Sequence, residues 1–264
     1  MAELDPAQAP VMDRETLVLV PGLLCDASVW THQVEALGDR YNVIVPDLRH
    51  FDSIERMASH VLAEAPAWFS LAGHSMGARV ALEMVRLKGE RIKRLALLDT
   101  GIHAVQPGEA ERRQILIDLG ETQGMAALAG AWLPPMVQDG RLDRDAALRA
   151  SLHAMVERMT PTVHRNHITA LLNRPNARAA LETVRCPVLV GVGRHDRWSP
   201  PSQHEDIIAA LPGAARYVIF EDSGHMAPLE APEAVTRALE EWMAMDPASA
   251  APDPRAAPIP SLSA

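Results

Sequence analysis

Seven residues, Leu71-Ala72-Gly73-His74-Ser75-Met76-Gly77, constrain the fold more than any other stretch of this chain. A short apolar run of strand character, Trp68 to Ala72, leads into them, and Met76, Val80, Met84 and Leu87 follow at helical spacing until Lys88-Gly89 stops the pattern. A strand must therefore become a helix with almost no connecting residues. So sharp a corner brings backbone against backbone, which is why small residues are needed on both sides of the pivot, and Gly73 and Gly77 stand two before and two after Ser75. A serine on such a corner projects its hydroxyl beyond the end of a strand, where a nucleophile is useful.

The rest of the chain supplies the other layers of an α/β protein. Thr16 to Val20 is a continuous apolar run, the mark of a strand buried on both faces of a parallel sheet, and Pro21-Gly22 ends it. A helix capped near Asp26 or Ser28 follows, with Val29, Trp30, Val34 and Leu37 on one face, and then Asn42 to Val45 as a second buried strand. A helix from Ser53 to about Ala65, the strand into Ser75 and a fourth strand ending at Leu98 continue the alternation. Between Thr100 and about Val184 the alternation stops. Helices are expected there over 110–119, 122–132, 143–158 and 161–172, with breaks at Gly120, Gly124, Pro134-Pro135 and Gly140. Cys186 to Gly191 and Arg216 to Phe220 are the fifth and sixth strands, with a helix near 202–211 between them and a last helix over 232–245. The expectation is a mostly parallel sheet of about six strands flanked by helices. Residues 15–99 and 185–245 would form the core, 100–184 an inserted helical cap, 1–14 an irregular lead-in, and the Ala-, Pro- and Ser-rich 246–264 a disordered tail.

Composition narrows the function classes. A net charge of -9 without clustered Lys and Arg argues against a nucleic-acid surface. Cys25 and Cys186 lie far apart without metal-ligand spacing and are expected to be buried apolar thiols. No apolar run approaches the ~18 residues of a membrane span and no leader pattern stands out, so a cytoplasmic protein without a membrane partner is expected. The oligomeric state is not encoded in any of these features.

A serine hydroxyl needs a base, and the base needs an orienting carboxylate. In open parallel sheets, useful residues sit just after the strands. His225, in Ser223-Gly224-His225, follows the sixth strand, and Asp196 follows the fifth. Asp99, at the end of the fourth strand, is the rival acid; Asp47 and Asp222 also follow strands but read as turn residues. Backbone N–H groups must receive a developing oxyanion. Met76 supplies one at the helix start, and Leu23, after Gly22, supplies the second, with Leu24 next in line.

Over roughly residues 15–245 the chain resembles the α/β-hydrolase fold serine hydrolases, whose chain order of nucleophile, acid and base is matched by Ser75, Asp196 and His225. The resemblance implies an esterase-like triad, the oxyanion donors above, a helical cap and a small-molecule substrate, with no metal or organic cofactor required. Two departures are visible. Only about fifteen residues precede the first strand, where many members have two further strands, and Pro21-Gly22 stands where His-Gly is common. Esters, thioesters, lactones and carbon–carbon bonds beside a ketone all suit this chemistry, so a carbon–carbon hydrolase or enol-lactonase is an alternative to an esterase, as is a binding protein that cleaves nothing. Leu24, Trp132, Met136, Met155 and Met159 are the candidates for an apolar acyl pocket, which predicts a small or medium acyl substrate with an uncharged scissile group and a mainly apolar acyl side. His153, His164 and His167 are expected on the cap surface, and Arg165 and Arg174 in solvent; the alternative is that one of these arginines turns inward and clamps a distal carboxylate.

Overall fold

The structure, a computed structural model, describes residues 14–249. Six strands, β1 (Thr16–Val20), β2 (Asn42–Ile44), β3 (Phe69–His74), β4 (Ile92–Leu98), β5 (Val188–Gly193) and β6 (Ala215–Phe220), form one sheet in the order β2-β1-β3-β4-β5-β6. Every neighbouring pair is parallel. The continuous apolar runs explain this, because a strand covered by helices on both faces needs no polar alternation; β1, β3 and β5 are buried along their whole length. The helices before β4 are α1 (Thr31–Leu37), α2 (Ile54–Glu64) and α3 (Met76–Lys88). Between β4 and β5 come α4 (Glu109–Trp132), α5 (Arg141–Arg144), α6 (Ala146–Glu157), α7 (Pro161–Leu172) and α8 (Ala177–Leu181), and after β5 come α9 (Pro201–Ala210), α10 (Ala227–Glu230) and α11 (Pro232–Met243). Helices α1 and α11 pack together over one face of the sheet, and α2, α3, α8 and α9 follow one another over the other.

The strand order places the site. The chain steps outward from β1 to β2 and then returns past β1 to β3. The crevice beyond the carboxyl ends of β1 and β3 is thus a topological switch point, where open α/β sheets bind ligands. The loops leaving those two strands carry Leu23 and Ser75.

Several local expectations are corrected. β2 is an edge strand with Asn42 exposed and Val43 and Ile44 half-buried, since it has a neighbour on one side only. Of the two breaks expected in 110–132, the one at Gly124 is present, where φ 85° and ψ 172° interrupt α4, while Gly120 stays helical, so the first helical stretch runs on past it. The single helix expected over 143–158 is broken at Asp145, whose carboxylate accepts the Leu148 N–H at 2.9 Å and caps α6. Within 100–184, α4 packs on α6 and α7, whereas α8 lies against α3 with the helices of the sheet. Of the expected tail, Pro247–Ser249 form a 3-10 turn; residues 250–264, and 1–13 of the lead-in, lie outside the described residues. No described helix is long and apolar enough to cross a membrane.

His164 and His167 are not surface residues. Both face inward from α7, and with His74 and His204 they make four histidines of at most 1% exposure. Burial holds His74 down at about 3 and the other three at about 4. The folded state therefore keeps them neutral while the unfolded chain takes up protons below about 6.5. Their contribution to stability is complete above that value and is lost as pH falls toward the folded values. Each loses up to about 1.4 kcal/mol per pH unit. Four together approach roughly 5 kcal/mol per unit, against a domain stability of about 5–15 kcal/mol. Asp99 and Glu230, both raised chiefly by burial, bind protons in the fold and offset part of this. The melting temperature is expected to change little between about pH 7 and 8 and to fall steeply below about pH 6. An unchanged Tm between pH 7 and 5, by scanning calorimetry, would contradict it.

Candidate active site

Ser75 follows β3 directly and stands at the N-cap of α3 with φ 55° and ψ −116°, a conformation that a residue with a side chain adopts only under strain. The glycines explain how the corner fits. A Cβ at Gly73 would lie 2.5 Å from the Gly77 carbonyl oxygen, and one at Gly77 would collide with the Val20 carbonyl of β1. The corner is tied to the sheet by the Ser75 N–H, which donates to the Leu98 carbonyl at 2.9 Å.

The residues expected to work with Ser75 converge on it. His225 Nε2 lies 2.8 Å from Ser75 Oγ, and His225 Nδ1 lies 2.8 Å from Asp196 Oδ2. Both His225 and Asp196 are buried, at 3% and 2% exposure. The other Asp196 oxygen accepts the N–H groups of Trp198 and Ser199, each at 2.8 Å, so the carboxylate is fixed in orientation. The loop bearing His225 is held equally firmly. Its own N–H donates to the Met136 carbonyl at 2.8 Å, and the buried Glu230 accepts from Gly224 and Gln138 at 2.8 Å and from Met226 at 3.3 Å. The short segment after α4 is thereby laced to this loop.

Asp99 lies elsewhere. It takes φ 48° at the end of β4, and one of its oxygens accepts the Gly193 N–H at 2.9 Å. The other oxygen has no hydrogen-bond partner among the described residues and stands 3.7 Å from His74 Nε2. Burial, and then the nearby Asp196 carboxylate, hold Asp99 well above the usual carboxylate range. His74 itself donates from Nε2 to the His225 carbonyl at 2.7 Å. Asp47 and Asp222 are exposed.

Gly22 runs directly under the corner; a Cβ there would lie 3.2 Å from that of Ser75. Leu23 follows it and, with Met76, lines the same cavity as Ser75 and His225. Neither the Leu23 nor the Met76 N–H donates to a protein acceptor among the described residues. Met76 is the first residue of α3, where no carbonyl one turn back exists to receive its N–H.

The lining of the cavity beside Ser75 corrects the expectation of an apolar pocket. Trp132 and Met136 do line it, but Leu24, Met155 and Met159 do not. Leu24 (φ 58°) turns its side chain into the core, and Met155 and Met159 are buried in the hydrophobic cluster. In their place stand Arg79, His103, Glu109, Arg113 and Arg174. Arg165 is exposed and paired with Glu121 on the outer surface, as expected, but Arg174 is buried. Arg174 grips both oxygens of Glu109 at 2.7 and 2.8 Å and donates to the carbonyls of Leu171, His103 and Ala104, which fills its guanidinium. Burial works against the Glu109 carboxylate, but hydrogen bonds from Arg174 and Gln106 and the Arg113 charge outweigh it and hold it at about 2.

The sequence reading missed Arg79, Arg113, Glu109 and Glu230. One signal was available. Arg79 is the one charge in Met76–Leu82, the first two turns of α3, and stands one turn along from Ser75. Cys25 and Cys186 are unpaired, buried and half-buried respectively, and burial pushes both thiols up to about 12, so neither supplies a thiolate near neutral pH.

Known proteins share this arrangement of the chain. A thermophilic esterase from Thermogutta terrifontis, solved with malate bound, is 28% identical and superposes with a TM-score of 0.79 over 87% of this chain and 89% of its own. The enol-lactonase from Burkholderia xenovorans LB400 shares the fold, with a TM-score of 0.79, 24% identity and coverage of 90% and 94%. In sequence, a pimeloyl-[acyl-carrier protein] methyl ester esterase from Aromatoleum aromaticum is 28% identical over 249 residues, 84% of this chain and 95% of its own. An (E)-2-((N-methylformamido)methylene)succinate hydrolase from Acinetobacter baylyi is 25% identical over 257 residues, 89% and 92% of the two chains. The family model for the alpha/beta hydrolase family matches residues 17–238, which takes in the corner at Ser75, the loop of Asp196 and the loop of His225. This chain belongs to the alpha/beta hydrolase family and is a hydrolase.

Proposed function

We propose that the chain cleaves a carboxylic ester or a closely related acyl bond through an acyl-enzyme on Ser75. The observation that carries this reading is the unbroken hydrogen-bonded chain from Asp196 through His225 to Ser75, 2.8 Å at each link, ending on a serine held at φ 55°. In the resting state His225 Nδ1–H donates to Asp196, so Nε2 is free to accept the Ser75 proton. As Oγ attacks the substrate carbonyl, that proton passes to Nε2 and Asp196 stabilises the imidazolium. The carbonyl oxygen becomes an oxyanion and accepts from the N–H groups of Leu23 and Met76. Collapse of the tetrahedral intermediate expels the alcohol, which takes the proton from His225. Water then attacks the acyl group by the same route in reverse, giving the acid and restoring Ser75.

The relatives' names favour an ester, since two of the four compared are esterases. We assign α4–α7 the role of a cap, because Arg113, Trp132 and Met136, which line the cavity, come from α4 and the turn after it. The test is a panel of methyl, thio- and p-nitrophenyl esters and lactones, together with labelling by a fluorophosphonate. Ester turnover with label on Ser75 is the expected result. Absence of both, in a protein folded by circular dichroism, would refute the reading.

A further inference from the structure

The cavity beside Ser75 carries an excess of positive charge that its own residues do not neutralise. Arg79, Arg113 and Arg174 face a single carboxylate, that of Glu109, which spends both oxygens on Arg174, Arg113 and the Gln106 N–H. Arg174 has no donor left. Arg113 uses Nε and one terminal nitrogen on Glu109 and lies over the Trp198 ring, 5.6 Å from its centroid. Arg79 is different. Its residue exposure is 8%, yet among the described residues it makes one hydrogen bond, from Nη2 to the His103 carbonyl at 3.2 Å, out of the five a guanidinium can donate. Burial, and then the Arg174 charge, lower Arg79 to about 9, so it remains a cation at neutral pH. Its other nitrogens open on the cavity rather than lie sealed in the core, so their donors are available to a ligand there.

We propose that the substrate carries a carboxylate, bound by the free edge of Arg79 with Arg113 beside it, while Arg174 and Glu109 act as the brace that holds the pair. The site deepens the hydrolase reading above and rests on it for calling the bound molecule a substrate. A guanidinium fork matches a planar carboxylate through two parallel hydrogen bonds. The His103 contact fixes the fork before anything binds. Arg79 is four residues from Ser75 along α3, about 6 Å in rise and on the same helix face. The carboxylate therefore sits only a few bonds from the carbonyl that Ser75 attacks. This replaces the mainly apolar acyl side that the cap residues alone suggest: Trp132 and Met136 contact the hydrocarbon spacer rather than define the whole pocket.

The experiment pairs charged and uncharged esters of similar length: monomethyl succinate and monomethyl glutarate against methyl butyrate and methyl valerate. In the wild-type protein kcat/KM is expected to favour the charged esters. Arg79→Gln is expected to lower the charged-to-uncharged ratio by roughly ten- to a hundredfold, chiefly through KM. Arg79→Lys, which keeps the charge and loses the fork, should fall between the two, and Arg165→Gln on the outer surface should leave the ratio unchanged. Binding is read separately from turnover. Succinate should raise the Tm of Ser75→Ala, the rise should vanish in the Ser75→Ala, Arg79→Gln double variant, and inorganic phosphate should do less than succinate. A ratio at or below one in the wild type, a ratio untouched by both Arg79 variants, or stronger stabilisation by phosphate would overturn the carboxylate site. Ester turnover without preference and without succinate binding leaves the hydrolase standing and removes the site. Arg79-dependent succinate binding without turnover of any ester does the opposite.

Discussion

Replacing Ser75 with alanine is expected to lower kcat on the best ester by about 10⁶ while leaving the fold intact. The size of the effect follows from what is removed. Without Oγ no acyl-enzyme forms, and what catalysis remains comes from binding and the oxyanion donors alone. The cost to stability is small because the strained corner persists: alanine carries the same Cβ at φ 55°, and the glycine contacts that permit the corner are untouched. One hydrogen bond, that to His225, is lost. Tm is expected to move by no more than about 3 °C. Single-turnover kinetics with an activated ester check the prediction; a variant retaining a tenth of wild-type turnover would remove Ser75 from the mechanism.

The second large effect is expected at Asp196, and the comparison with Asp99 gives it meaning. Asp196→Asn should reduce kcat by about 10⁴, as in other triads, because the amide presents an N–H where His225 Nδ1 requires an acceptor and so favours the wrong tautomer. Asp99→Asn should change kcat by less than roughly threefold. Its buried carboxyl is already held well above the usual carboxylate range, so an amide is close to what stands there, and the Asn oxygen can still accept the Gly193 N–H. Equal losses in the two variants would show that the acid is shared or misassigned. Both are read at saturating substrate, so that binding does not enter.

The two aspartates illustrate how far a sequence carries. Both end or closely follow a strand, and that position is visible in the alternation of apolar runs and turns. Which of them orients His225 depends on where β5 and β6 lie relative to β4, and on His74 standing next to Asp99. The edge position of β2 is a fact of the same kind. Val43 and Ile44 are as apolar as the residues of a central strand, and only the pairing order leaves them half-buried.

Local chemistry in the chain determined the corner at Ser75, the run of six parallel strands and the residues after β3, β5 and β6 that come together, because strand-to-helix turns, glycine spacing and continuous apolar runs are imposed by the backbone within a few residues. The tertiary structure decided the character of the pocket. Arg79, Arg113, Arg165 and Arg174 are alike in sequence, yet Arg165 pairs with Glu121 in solvent, Arg174 is consumed by Glu109 and three carbonyls, and Arg79 keeps its donors for the cavity. His164 and His167 read as surface residues for the same reason, their burial depending on what packs over α7. A charged or titratable side chain has no fixed meaning along the chain; burial and the partners brought to it by distant segments decide whether it is solvated, braced or left to receive a ligand.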